Sequence, residues 1–270
     1  MPIDVAARVI ANRPLSSDYN VLALAAPAIA AIAAPGQFVM LRPGAGSDPL
    51  LRRPFSVFEI LRDAAGAATG LTILSKRIGA STSLLYHARE GQRVDCLGPL
   101  GHPFTIVDPP SEAWMIAGGV GLAPFATLAQ TLRARGVAST LFYGARRAEE
   151  LFYLDFFRDL SVELVLTTED GSRGERGRVV APLDRRLAAL DPAARVMLYA
   201  CGPEGMLAAT ARTAMKYGRP CEVSVERIMG CGLGGCYSCV VPMRGEDGAF
   251  HHVRSCLAGP VLNAEQIQWD

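Results

Sequence analysis

At 270 residues, half of them hydrophobic and a fifth charged, the chain is long for one domain and holds enough apolar material for two cores and an appendage. Twenty-seven basic residues face 26 acidic ones, and a net charge of +1 offers no basic excess for nucleic acid or an anionic membrane. Met1-Pro2-Ile3-Asp4 lacks the charged start of a secretory signal, and the alanine-rich run at 23–34 is too short to span a bilayer, so a soluble cytoplasmic protein with reduced thiols is expected.

Residues 1–108 read as short apolar runs at 20–24, 37–41 and 71–74, bounded by turn signals such as Pro35-Gly36 and Pro43-Gly44. That spacing predicts an antiparallel β-barrel or sandwich. Within it, Leu51-Arg52-Arg53-Pro54-Phe55-Ser56-Val57 sets an arginine, a proline-fixed backbone and a hydroxyl on one strand. An arginine suits a diphosphate, and main-chain groups with a serine suit a ring system, although the same residues also suit a polar strand on a barrel surface. Gly79-Ala80-Ser81-Thr82, after Lys76-Arg77, is a second candidate phosphate cradle. Asp108-Pro109-Pro110-Ser111 reads as a linker.

From 112 to about 226 the rhythm changes. Strands are expected at 114–117, 139–143, 162–167, 196–200 and 222–225, alternating with helices at 122–135, around 149–160, at 182–190 and at 204–217. This alternation predicts a doubly wound parallel sheet covered on both faces. The first strand-to-helix junction is Ile116-Ala117-Gly118-Gly119-Val120-Gly121-Leu122-Ala123-Pro124. Glycines there let a pyrophosphate approach the backbone, and a helix start offers unpaired N–H groups. Pro124 breaks the G-x-G-x-x-G pattern, and a plain glycine turn ahead of a helix-starting proline is the competing reading. Tyr199-Ala200-Cys201-Gly202-Pro203-Glu204-Gly205-Met206 repeats the arrangement after a later strand. Both turns fall at carboxyl ends of expected parallel strands, where open α/β sheets bind their ligands. Arg146 and Arg147 after the second strand suit a 2′-phosphate or pairing with Glu149 and Glu150, so the choice between NAD and NADP stays open.

The tail from 227 carries four of the seven cysteines, Cys231, Cys236 and Cys239 in a C-x4-C-x2-C run and Cys256 after sixteen intervening residues. This is the ligand order of a plant-type [2Fe–2S] cluster. Three thiolates within nine residues need a tight loop without side-chain bulk, which Gly232, Gly234 and Gly235 allow. Zinc is a weaker reading because only one C-x2-C is present, with His251 and His252 nearby. Disulfides are disfavoured in a reducing compartment. The scattered Cys96, Cys201 and Cys221 read as small core residues. His87, His102, His251 and His252 show no partners for a base–nucleophile set.

The order of motifs resembles the ferredoxin-reductase-like flavoproteins, through Arg53-Pro54-Phe55-Ser56, Gly98-Pro99-Leu100-Gly101, Gly118 to Pro124 and Cys201-Gly202-Pro203. With the cysteine tail it is most similar to the electron-transfer subunits of two-component, NAD-linked dihydroorotate dehydrogenases of pyrimidine synthesis. The resemblance implies an FAD-binding β-barrel at 1–108, a pyridine-nucleotide domain at 109–226 and a [2Fe–2S] segment at 227–270. It implies FAD on Arg53, Pro54, Phe55 and Ser56 with Leu74, Ser75 and Lys76 beside it, and a phosphate turn at Ala80-Ser81, or Ser81-Thr82 in a shifted register, where the family carries Gly-Thr. NAD(H) would meet Gly118, Gly119, Gly121, Pro124, Gly202 and Pro203, and Cys201 would contact the nicotinamide unless it is only a small strand-end residue.

Nicotinamide exchanges a hydride and a [2Fe–2S] cluster single electrons, so a flavin between them completes a relay. The resemblance implies that dihydroorotate is oxidised on a separate FMN-bearing subunit, in a heterotetramer of two of each. Tyr237, Val240 and Val241 are then candidates for the partner interface. The alternatives are the related flavoprotein subunit of an NADH-dependent ferredoxin:NADP oxidoreductase or sulfide dehydrogenase, and a non-enzymatic zinc-bound interaction protein.

Overall fold

The computed structural model describes residues 1–44, 49–245 and 248–269. The first part of the chain forms β1 (Ile3–Pro14), β2 (Tyr19–Ala25), a single helical turn α1 (Pro27–Ala30), β3 (Phe38–Pro43), β4 (Arg53–Ser56), β5 (Glu59–Arg62), β6 (Ala68–Lys76), α2 (Ala80–Tyr86) and β7 (Arg93–Leu100). The strands form one antiparallel sheet in the order β4-β3-β7-β1-β2-β6-β5. Its inner face is packed by Val9, Leu22, Leu24, Val39, Leu41 and Ile73 among others. The sheet curls into a barrel left open between β4 and β5. The short crossing between them bridges the seam, with Val57 N–H on the Gln37 carbonyl (3.0 Å) and Phe58 N–H on that of Thr72 (2.9 Å).

The alternating part follows with β8 (Glu112–Gly118), a 3₁₀ turn at Gly119–Leu122, α3 (Phe125–Ala134), β9 (Ser139–Ala145), a 3₁₀ turn at Ala148–Glu150, α4 (Leu154–Asp159), β10 (Glu163–Thr168), β11 (Glu175–Arg176), α5 (Val180–Ala188), β12 (Val196–Cys201), α6 (Glu204–Lys216) and β13 (Cys221–Ser224). Because side chains alternate along a strand, the sheet has two cores. Met115, Ala117, Tyr143, Tyr199 and Cys201 lie on the face that also gathers Val21, Phe58, Leu74 and Phe104 of the barrel part. Trp114, Ile116, Phe142, Leu198 and Ala200 lie on the other face.

The tail forms β14 (Val240–Arg244), β15 (Phe250–Arg254), the turn α7 (Ser255–Ala258) and β16 (Val261–Asn263). It does not sit apart. β16 joins the second sheet antiparallel to β13, completing the order β11-β10-β9-β8-β12-β13-β16, while β14 and β15 form a hairpin. The two larger parts are stitched by Tyr19 against Phe152 (4.9 Å between ring centroids) and Phe58 edge-on to Tyr153 (4.7 Å). Thr105 donates to both oxygens of Glu222 (2.9 and 2.6 Å), and Tyr199 donates to the Thr105 carbonyl (2.7 Å). No helix among the described residues is long and apolar enough to cross a membrane.

Candidate functional site

The tail cysteines converge as two pairs. Cys236 comes within hydrogen-bonding reach of Cys231, and Cys256 of Cys239. The inner pair, Cys239 and Cys256, is buried with Phe38, Met40, Leu97, Leu100 and Met229, whereas Cys236 is exposed and Cys231 half-buried. Gly232 and Gly234 turn the loop at φ +72° and +81°, and Tyr237 also sits in the left-handed region at 57°. The Leu233 N–H donates to Cys231 Sγ (3.3 Å). The Ser238 hydroxyl accepts from the Gly230 N–H (3.0 Å) and stands 3.1 Å from Cys236 Sγ. Hydrogen bonds from Ser238, then contact with Cys231, lower the Cys236 thiol to about 6, while burial and the neighbouring Cys239 push Cys256 up to about 12.

Among the described residues, no three His, Cys, Asp or Glu are grouped to hold a single ion. Two thiol pairs with amide and hydroxyl donors at their sulfurs have the chemistry that two sulfide-bridged irons need, and the residues fit a [2Fe–2S] cluster. His251 and His252 lie exposed on β15, opposite Met243 and Pro242, in the hairpin.

On the barrel side, Arg53, Pro54, Phe55 and Ser56 form β4, an edge strand paired only with β3. Its outer row of main-chain groups is therefore open to a ligand. Arg53 is exposed, bonds only to its neighbours' carbonyls at Leu51 (3.2 Å) and Arg52 (3.1 Å), and forms no ion pair with a described residue. This donor set suits a flavin diphosphate. Leu74 is buried in the core between the two parts, and Lys76 sets its ammonium over the Tyr19 ring at 5.1 Å. Ser75 turns inward, opposite the buried Asn20, and its hydroxyl has no partner among the described residues, so only its main chain is left for an outside ligand. Ala80 and Ser81 open α2. Thr82 Oγ1 accepts from the Ile78 and Gly79 N–H groups (2.9 and 3.0 Å) within the turn, and Ser81 is buried.

The two glycine turns pack against each other at the carboxyl ends of β8 and β12. A Cβ on Gly121 would stand 2.2 Å from the Cys201 carbonyl oxygen, and one on Gly118 would stand 2.8 Å from Met206 Sδ and Pro203 Cδ. These glycines, with Gly202, serve turn-to-turn packing. Gly119 differs, for its φ is +55° and a Cβ there meets nothing nearer than the Tyr19 hydroxyl at 4.0 Å. It is the open glycine that faces the barrel. Its carbonyl is held by the buried Tyr143 hydroxyl (3.3 Å). Pro124 stands immediately before α3 and Pro203 before α6, as helix-starting prolines do.

Cys201 is buried at the end of β12, where burial raises its thiol well above the ordinary value, helped by the Glu226 charge and opposed by the Ser224 hydroxyl. Burial favours the neutral thiol, and its small side chain packs at the end of the strand. Arg147 leans towards Glu149 (4.0 Å) and Glu150 (3.8 Å).

Sequence reasoning missed Ser224 and Glu226. Strand alternation sets both on the face of Cys201, the face turned to the barrel, and counting by two along 222–226 would have found them. Glu226 is exposed to solvent on one side, while the protein on its other side raises its pKa by desolvation. It also missed the crevice aromatics Tyr19, Phe152 and Tyr153, which carry no motif. Of the three interface candidates, Tyr237 is exposed, Val240 half-buried, and Val241 fully buried in the core beneath β14. Val241 is thus corrected to a core residue, and the exposed apolar residues beside the cysteines are Leu233, Tyr237 and Leu257.

Residues 226–268 match the family described as the iron-sulfur cluster binding domain of dihydroorotate dehydrogenase B, and residues 115–212 match the oxidoreductase NAD-binding domain. A solved structure of an NADH-dependent reduced ferredoxin-NADP oxidoreductase is 27% identical and superposes with a TM-score of 0.82 over 98% of this chain and 91% of that one. A ferredoxin NADP+ reductase from Neisseria gonorrhoeae, 20% identical over 80% of this chain and 92% of that one, shares the fold at a TM-score of 0.64. The dihydroorotate dehydrogenase B (NAD(+)) electron transfer subunit of Bacillus caldolyticus is 37% identical over 86% of both chains, and that of Desulforamulus reducens 35% identical over 98% of both. With a ferredoxin-reductase-like fold, two glycine turns packed together at the carboxyl ends of β8 and β12, four paired thiols and this likeness along its whole length, the chain belongs to the family of dihydroorotate dehydrogenase B (NAD(+)) electron transfer subunits.

Proposed function

We propose that this chain relays electrons between a catalytic subunit that oxidises dihydroorotate on FMN and NAD(+), through a [2Fe–2S] cluster on Cys231, Cys236, Cys239 and Cys256 and an FAD along β4, in a cytoplasmic heterotetramer of two of each subunit. The observation that carries this reading is the convergence of the four thiols as two pairs, next to the barrel strands that lead to Arg53 and Ser56. When bound, the cluster supplies one-electron exchange and the flavin both one- and two-electron exchange.

The chain's own residues bind and orient. Arg53 holds the diphosphate, the open edge of β4 holds the flavin ring, and Ala80-Ser81 takes the remaining phosphate. Gly119 lets the dinucleotide approach the backbone, while Cys201, Ser224 and Glu226 line the barrel-facing side of the crevice at the nicotinamide end. The attraction of Arg147 to Glu149 and Glu150 favours NAD over a 2′-phosphorylated coenzyme. Leu233, Tyr237 and Leu257 form the apolar rim through which the cluster side meets the catalytic subunit.

The ferredoxin:NADP oxidoreductase reading rests on a fold match at 27% identity, against 35% over the same share of the chain for the dihydroorotate group, and is the weaker one. Co-expression with the FMN-bearing subunit tests the proposal. The purified complex is expected to show flavin and iron–sulfur absorbance and to reduce NAD(+) with dihydroorotate, and this chain alone is expected not to. A complex that reduces NADP(+) from reduced ferredoxin and leaves dihydroorotate untouched refutes it.

A further inference from the structure

The loop of Cys231 and the strand of Arg53 share one wall. β3 pairs with β4 on one edge, with Phe38 opposite Ser56 and Met40 opposite Pro54, and with β7 on the other edge. Residues directly opposite in an antiparallel pair point to the same face, and neighbouring strands lie about 4.8 Å apart. Pro54 and Ser56 therefore share the outer face of the sheet with Met40 and Phe38. The cysteine loop lies on that same face: Cys239 and Cys256 are buried in one apolar cluster with Phe38, Met40, Leu97 and Leu100.

Met40 is the point of closest approach. It is fully buried, and a Cβ on Gly232 would stand 2.7 Å from its Cγ, 3.2 Å from its Sδ and 3.3 Å from Leu100 Cδ1. Glycine at 232 is thus needed not only for its φ of +72° but because the loop backbone rests directly on the methionine. An unbranched, polarizable thioether suits an irregular floor of this kind. The inner thiol pair is buried in the same apolar cluster, shut off from water, while Cys236 on the outer side is exposed.

We propose that Met40 is the positioning residue of the cluster, the dry floor that seats the inner thiolates and sets the polarity of the side facing the flavin strand. This rests on the reading that the loop holds a [2Fe–2S] cluster and β4 the flavin. Reduction adds negative charge to a cluster, and its potential follows the hydrogen bonds and solvent at its sulfurs. Met40 keeps donors and water away from one side.

The test uses the full chain with flavin and iron bound, and follows the cluster by redox titration with electron paramagnetic resonance. Met40→Gln sets an amide donor of similar length on the floor. It is expected to change the spectrum and to shift the one-electron equilibrium towards the reduced cluster by roughly tenfold, about 59 mV. Met40→Leu, apolar and similar in volume, is expected to stay within about twofold of wild type. Leu41→Ala, on the same strand but facing the barrel interior, should lower thermal stability and leave the potential unmoved. Should Met40→Gln fail to accumulate, Met40→Ala, which opens the floor to water, carries the same expectation. A potential and spectrum unchanged in Met40→Gln or Met40→Ala, or moved equally by Leu41→Ala, overturn the proposal alone. Wild-type protein that takes up flavin but no iron overturns the relay reading together with it.

Discussion

Glycines that look equivalent in the sequence do different work in the folded chain. Gly121 has no room for a methyl group, with the Cys201 carbonyl carbon 2.5 Å and its oxygen 2.2 Å from an added Cβ, and backbone atoms there have no rotamer to yield. Gly119 has the room but sits at φ +55° towards the barrel. Gly121→Ala is therefore expected to cost about 1–3 kcal/mol of stability through overpacking, and to lower the melting temperature whether or not a nucleotide is present. Gly119→Ala is expected to cost about 1 kcal/mol for the left-handed backbone, and instead to weaken NADH binding. Melting curves with and without NADH separate the two, and equal nucleotide responses would refute the assignment of Gly119 as the open glycine. Cys201 belongs to the same scale. Its motif points to the nicotinamide, while in the folded chain burial favours its neutral thiol, beside the Ser224 hydroxyl.

At the scale of elements, the tail is not a detachable module. β16 gives β13 its outer neighbour through Val261, Leu262 and Asn263, and Val241, Met243, Leu262 and Ile267 fill the core on that face of the sheet. Each buried aliphatic side chain contributes about 1.5–3 kcal/mol. Four of them amount to much of a domain's net stability of about 5–15 kcal/mol. A chain ending at residue 226 is expected to aggregate or melt well below the full chain, even with no role for iron. Light scattering and thermal denaturation of the truncated protein check this, and a stable monomer would show that the sheet stands without its edge. β1 and β7 escaped sequence reading for a related reason. Ile3–Pro14 buries only Ala7 and Val9 deeply, and Arg93–Leu100 opens on alternating Arg93, Val94, Asp95 and Cys96. A strand buried on one face of a sheet shows few apolar residues in a row.

For the whole molecule, catalysis of a relay depends on how the barrel and the nucleotide sheet are held together. Beside the shared apolar core of Val21, Phe58, Leu74 and Phe104, the join carries an aromatic and polar set: Tyr19 with Phe152, Phe58 with Tyr153, Arg13 bonded to the Tyr153 hydroxyl and stacked 5.0 Å from its ring, and Thr105 with Glu222. Tyr153 enters this set from a left-handed backbone position at φ 58°. Removing its ring should cost about 1–3 kcal/mol at the join, since aromatic contacts carry much of such an interface. Calorimetry of the wild type is expected to give one transition, and Tyr153→Ala a broadened or split one. A single transition of unchanged width in the variant would show that the two parts are coupled elsewhere.

The sequence by itself determined the chemistry of the ends and the order of the parts. The cysteine spacing, Arg53-Pro54-Phe55-Ser56 and the two glycine turns are local patterns, each legible within a short stretch of chain. It determined the parallel sheet too, because period-2 and period-3.6 patterns alternate visibly from β8 to β13. Only the tertiary structure decided which residues distant in the chain stand together. It put Met40 under Gly232, Glu226 beside Cys201, Tyr19 opposite Gly119 and Val241 inside rather than on the surface. Those neighbours come from packing two sheets and a tail against one another, and packing leaves no periodic mark on the segments it joins.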